Sequence, residues 1–215
     1  MQRTAEPFYA PYEIRSAEAV HLVYMHEIKG GSVDSSIQVG VSGPTVWVKV
    51  EGKGSFLNSG NLKEFAREML DRGYREFVVD LEDCTMMDST FMGTLATVAL
   101  RLRELGQGHL QIVHCGNRCQ ELLSGLRLDQ IFDVRADGAS PPECAAFERP
   151  PRIQSPADQK REQIETMVEA HEALSEAAPE NVLRFKDVLD FLRQDLHQFA
   201  PETLHLPTKR LDKPE

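Results

Sequence analysis

The segment SIQVGVSGPTVWVKVEG, residues 36–52, alternates apolar and polar positions on both sides of Gly43-Pro44. Alternation with a period of two, broken by a turn pair, predicts a β-hairpin. In its second arm Val46, Val48 and Val50 share one face, and Trp47, Lys49 and Glu51 share the other. The valine face is expected to meet the core. Trp47 is open to two readings, a partner-facing aromatic or packing for the N-terminal extension. The period then changes. Asn61 with Glu64 three residues later fits a capping-box helix start. Leu62, Phe65, Ala66, Met69 and Leu70 form the apolar stripe, and Gly73 closes the helix.

EFVVDLE (76–82) reads as a buried strand and HLQIVH (109–114) as another. Between them Met92, Leu95, Ala96, Ala99, Leu102 and Leu105 recur at helical spacing. NRCQELLSGLRL (117–128) predicts a short helix and QIFDV (130–134) a last short strand. The order β-β-α-β-α-β-α-β implies an α/β fold. Its sheet is mixed and mostly parallel, with an initial antiparallel hairpin and covering helices.

A run rich in proline and small residues, 137–157, marks a boundary. Beyond it Ile164, Met167, Val168, His171 and Leu174 make a helical stripe, and Pro179 breaks it. A second helix follows to Phe199, with Val182, Phe185, Val188, Leu189, Leu192 and Leu196 on one side. The division expected is an N-terminal extension of unknown role (1–36), a main domain (37–136), a linker (137–157), a helical hairpin (158–200) and a tail (201–215). Two amphipathic helices cannot bury such faces alone. They must pack back on the sheet domain or against another chain, which makes a homodimer through these helices a candidate.

The chain has 215 residues and a net charge of −10. No basic patch stands out, so direct nucleic-acid binding is not expected. No stretch reaches the roughly 18 apolar residues of a membrane helix. The first residues lack a secretory signal, so a cytoplasmic protein without membrane insertion is expected. Cys84, Cys115, Cys119 and Cys144 lack the second ligand pair of a zinc site and read as reduced thiols. The glycines around Lys53 fall short of a phosphate loop. No metal and no cofactor is expected.

The stretch VVDLEDCTMMDSTFMGTL (78–95) carries the candidate chemistry. A strand ends, a polar loop follows, and a helix begins near Ser89. Ligand crevices in α/β sheets lie at the carboxyl ends of the strands. The first turn of a helix offers unpaired amides that stabilise a negative group. Asp88 or Ser89 can cap the helix, or Ser89 can carry a phosphate. DCTMMDSTF is not a hydrolase elbow, and no base, metal set or phosphate loop can be assigned beside it. An enzyme is therefore not expected. Asp80 reads as shaping the loop, Glu82 and Asp83 as a solvated loop or an acidic rim for a basic partner, and His171 as a packed histidine.

Residues 78–134, together with VWVKVEGKGSFLNSGNLKEFAREML (46–70), resemble the STAS domain of bacterial anti-sigma-factor antagonists over about 37–136. The resemblance implies a phosphorylation-switched protein-binding module. Ser89 would be the phosphoacceptor for a serine protein kinase of the anti-sigma factor class, and Thr90 a lesser one. A phosphatase is a candidate opposing partner. Asp88, Met92 and Gly93 match the family's positions around the acceptor, and Asn58 lies in the loop that joins the binding surface. Phe91 stands where the family often has glycine. Phe91, Glu82 and Asp83 complete the expected partner surface. The alternative is a STAS scaffold in a signalling or transport assembly that is never phosphorylated.

Overall fold

The structure, a computed structural model, describes residues 35–139, 145–146 and 155–198. The extension expected over 1–36 lies almost wholly outside them, as do much of the 137–157 segment, Cys144 and the 201–215 tail.

Strands β1 (Ser35–Ser42) and β2 (Thr45–Gly54) form the predicted antiparallel hairpin, with Val39 opposite Val48. β3 (Glu76–Asp80) pairs parallel to the first half of β2. β4 (Cys84–Met87) pairs parallel to its end, with a register shift between Gly52 and Lys53. β5 (His109–Val113) and β6 (Asp133–Val134) extend the sheet in parallel beyond β3. β7 (Ala145–Ala146) adds antiparallel to β1. The order is β6-β5-β3-β2-β1-β7, with β4 beside β2. This is the mixed, mostly parallel α/β sheet that the pattern predicts. β4 stands where the sequence pattern predicts a polar loop, and β7 falls within the segment expected as a linker.

Helices α1 (Phe56–Asp71), α2 (Ser89–Glu104) and α3 (Asn117–Gly125) close over the sheet. Val46, Val48 and Val50 meet the core there, with Phe77, Val79, Leu81 and Ile112. Trp47 lies on the opposite face, buried with Val78 and Val113. α1 starts five residues before the expected Asn61. Ser55 precedes it, and Asn58 Oδ1 accepts the Ser55 amide at 2.8 Å. The box residue is thus Asn58, not Glu64. A one-turn 3₁₀ segment, Leu128–Gln130, takes the start of the run expected as the last strand.

Helices α4 (Pro156–Ala177) and α5 (Pro179–Gln198) form a hairpin, and α4 lies along α2. Ala173, Leu174 and Phe185 enter the main core. Ile164, Val168, Leu189 and Leu192 make a second cluster within the hairpin. The Asn181 side chain, buried between the helices, donates to the carbonyls of Leu126 and Leu174, both at 2.9 Å. Arg184 donates to the Gly125 carbonyl at 2.7 Å. Lys63 on α1 pairs with Glu169 on α4 at 2.6 Å. α5 leaves Leu183 and Phe191 exposed.

Gly93 is the point of closest approach. A Cβ there would sit 2.3 Å from the Ala170 carbonyl oxygen and 2.6 Å from its carbon. Those are backbone atoms, so α4 can clear the contact only by moving. In an open helix Gly→Ala gains up to about 1 kcal/mol of helix propensity. At this site the sign reverses. Gly93→Ala is expected to destabilise the protein by about 1–3 kcal/mol, the range for overpacking. Ala170→Gly should not rescue it, because the obstacle is the carbonyl. Denaturant unfolding of Gly93→Ala, Ala170→Gly and the double variant checks both statements.

Candidate functional site

Parallel strands β2, β3 and β5 send their carboxyl ends to one edge of the sheet, and α1 and α2 both begin there. Asp88 joins them. Its amide donates to the Gly54 carbonyl at 3.0 Å. Its Oδ1 accepts the Phe91 amide and its Oδ2 the Phe56 amide, both at 2.8 Å. One carboxylate thus caps α2 and satisfies the first amide of α1. Asn58 is committed nearby, since its Nδ2 also donates to the Lys53 carbonyl at 3.0 Å.

Phe91 turns inward and is 0% exposed. The space comes from Gly54, where a Cβ would meet the Phe91 ring at 2.5 Å. Thr90, Met92 and Gly93 are buried as well. Of the positions that the resemblance assigned to a partner surface, Phe91 packs in the core, and Gly93 lies against α4 of the same chain. The exposed apolar groups at this edge are others: Phe56 at 41%, Leu57 at 70% and Met86 at 49%.

Ser89, the first residue of α2, is half-buried. Its Oγ lies 3.0 Å from Nε2 of His171 on α4. The other ring nitrogen, Nδ1, lies 2.7 Å from the Met167 carbonyl, which can only accept. Nδ1 therefore carries a proton, and in the neutral ring Nε2 accepts from the Ser89 hydroxyl. His171 is 4% exposed and stacks edge-on against Phe185. No local pattern signals its contact with Ser89, because 82 residues separate the two.

Around the corner, Asp83 is tied to Lys49 at 2.8 Å, and Glu51 reaches the same ammonium at 3.3 Å. Hydrogen bonds to these carboxylates, Asp83 foremost, push the Lys49 pKa up. Glu82 is exposed, and its amide donates to buried Asp80 Oδ1 at 2.9 Å. That oxygen also meets His114 Nδ1 at 2.9 Å. His114 follows β5 in the left-handed region, φ 51°, at a cost of about 1–2 kcal/mol for a residue with a Cβ. Asp80, Glu82 and His114 bring ligand atoms within 4.8 Å of one another, and are the set among the described residues that could share a cation. Asp80 Oδ2 has no donor among the described residues.

Residues 37–134 match the family model described as Mlab, STAS domain. The chain carries a STAS domain. Solved structures with a similar fold include a Thermotoga maritima protein provisionally described as an anti-sigma factor antagonist. It is 19% identical over 46% of this chain and 85% of its own, with a TM-score of 0.42. A second is the anti-sigma factor antagonist SpoIIAA in its unphosphorylated form, at 14% identity over 48% and 90% with a TM-score of 0.41. A third is a STAS domain from Rhodobacter sphaeroides, at 18% over 37% and 86% with a TM-score of 0.28. No curated protein matches the chain. Helices α4 and α5 lie beyond the segment matched as a STAS domain. Among the described residues no helix is long and apolar enough to cross a membrane.

The Asp80–His114 pair gives the STAS domain a pH signature. The Asp80 hydrogen bond raises the His114 pKa against the opposing effect of burial. A raised folded-state pKa stabilises fully below the ordinary value, about 6.5, and the contribution is lost as pH rises through the folded value. The His114 ring should titrate above pH 6.5 by NMR. Stability should fall as pH rises from there, and Asp80→Asn should lower the midpoint and flatten that fall.

Proposed function

We propose that this protein is a phosphorylation-switched binding module of the anti-sigma-factor antagonist type, with Ser89 as the acceptor hydroxyl. Its partner is a serine protein kinase of the anti-sigma factor class, with a phosphatase as the opposing enzyme. The observation that carries the reading is the position of Ser89 at the sheet's carboxyl edge, half-buried in the first turn of α2, beside the exposed Phe56, Leu57 and Met86. A docking partner would cover the apolar rim and the hydroxyl together. Helix-dipole and amide interactions tolerate a phosphate at this point. The added charge of about −1.5 to −2 would stand next to the Asp88 carboxylate, and its desolvation would oppose docking.

Helix α4 adds a term that the STAS domain alone lacks. To accept phosphate, the Ser89 hydroxyl must leave His171. A net hydrogen bond of about 1 kcal/mol slows that step by several-fold, not by orders of magnitude. With ATP and the kinase from the same organism, peptide mapping should find phosphate on Ser89 and none after Ser89→Ala. Ser89→Asp should weaken capture of that kinase by about tenfold or more, as for a buried like-charge contact. Absence of phosphate on Ser89 defeats the switch. His171→Ala should raise the rate of phosphate incorporation several-fold in the same assay; a lower rate would mean that His171 assists the reaction.

The covering by α4 also supports a second reading, an unphosphorylated STAS scaffold in a signalling or transport assembly. A partner captured equally by wild type and Ser89→Asp, with Ser89 unmodified, selects it.

A further inference from the structure

Cys84 opens β4 and is half-buried, whereas Cys119, in the first turn of α3, is buried. α3 packs against β4, and Cys119 Sγ lies 3.6 Å from the Cys84 carbonyl oxygen. Cys84 Sγ in turn lies 3.5 Å from the Met86 carbonyl oxygen. A buried cysteine alone behaves as a small hydrophobe. A solvent-reaching thiol backed by a second one from inside is the arrangement of a reactive cysteine with its resolving partner.

The electrostatics divide the pair in the required sense. The neighbouring Cys119 thiol, with help from the Met86 and Gly54 backbone, brings the Cys84 pKa down to about 7 against the effect of burial. Cys119 moves the other way, because the neighbouring Cys84 thiol and its own burial keep its proton on. Cys84, the more accessible thiol, is the nucleophile, and buried Cys119, whose thiol donates to the Cys84 carbonyl, stands behind it. Cys115, also buried, has its pKa raised by desolvation and is the less reactive thiol.

We propose that Cys84 is a hydroperoxide-reactive thiol and Cys119 its resolving partner, so that mild oxidation closes a disulfide between β4 and α3. In the first step the Cys84 thiolate attacks one peroxide oxygen. The S–O bond forms, the O–O bond breaks, and the departing hydroxide or alkoxide takes a proton from solvent. Cys84 is then a sulfenic acid, and the peroxide has been reduced by two electrons. In the second step Cys119 sulfur attacks Cys84 sulfur. The S–S bond forms, the S–O bond breaks, and the hydroxyl leaves with the Cys119 proton as water. The modification lies beside the sheet's carboxyl edge, since Cys84 pairs with Gly52 of β2, two residues before the Gly54 carbonyl that accepts the Asp88 amide. It does not depend on the phosphorylation reading.

The test treats the reduced full-length chain with low hydrogen peroxide, with dimedone present to trap sulfenic acid. Wild type should lose two hydrogens by intact mass and yield a peptide linking Cys84 to Cys119, with little dimedone adduct. Cys119→Ser should take dimedone on Cys84, about tenfold more than wild type, and Cys84→Ser should do neither. The wild-type cross-link map needs no variant, so a poorly folding Cys119→Ser does not blunt the test. A link mapping to Cys115 or Cys144, equal dimedone labelling of wild type and Cys119→Ser, or a wild type left unmodified by peroxide that oxidises glutathione in the same tube would each overturn the proposal.

Discussion

A single carboxylate fixes the working edge of this molecule. Asp88 takes the amide of Phe91 in one helix and of Phe56 in another, while its own amide is held by the end of β2. Helix starts carry unsatisfied amides that cost free energy when buried without partners. Serving two of them from one side chain forces α1 and α2 to begin side by side. It also sets Ser89 at a fixed height above the sheet. A capping residue replaced by alanine costs about 0.5–2 kcal/mol, and here two helix starts share the loss. The polar residue that looks most like chemistry in the sequence is thus first a structural clasp. The hydroxyl beside it is left available because Asp88, not Ser89, does the capping.

The second constraint is the seam between α2 and α4. Gly93 allows backbone-to-backbone contact with Ala170, and the register it sets brings His171 over Ser89. Lifting the hairpin would expose Leu174, Ala173, Phe185 and the cluster around Ile164 and Leu189. At roughly 1.5–3 kcal/mol for each large side chain, that is more than a marginally stable domain can spend. Breaking the Ser89–His171 bond by a rotation at Ser89 costs about 1 kcal/mol. The smaller motion dominates. α4 is therefore a fixed wall with one polar contact on Ser89, and it does not act as a lid that opens.

Much of the sheet was legible because its strands carry their burial in the residue pattern. The valines of β2 and the run Phe77–Leu81 face the core as alternation and hydrophobic continuity predict. What escaped has physical causes. β4 exposes Thr85 and Met86 and has four residues, too few and too polar for a periodicity signal. The start of α1 was placed late because Asn61 and Glu64 imitate a capping box, whereas Ser55 and Asn58 supply the cap with Asp88 from 32 residues away. The inward turn of Phe91 depends on Gly54, 37 positions earlier in sequence, and no local rule sees that vacancy. His171 looked like a packed histidine and is one, but its partner lies in another element.

These pieces explain how one edge of the sheet serves several purposes without conflict. Core packing uses Phe91 and Met92, helix capping uses Asp88 and Asn58, and α4 uses Gly93. Ser89 remains, with an apolar rim at Phe56, Leu57 and Met86 that no element of the described chain covers. Exposed apolar groups gathered beside a half-buried hydroxyl favour a macromolecular surface. Any partner that buries the rim must also desolvate the Asp88 carboxylate region. A change of charge at Ser89 would then act on the same desolvation cost, and so on affinity, without any rearrangement of the fold.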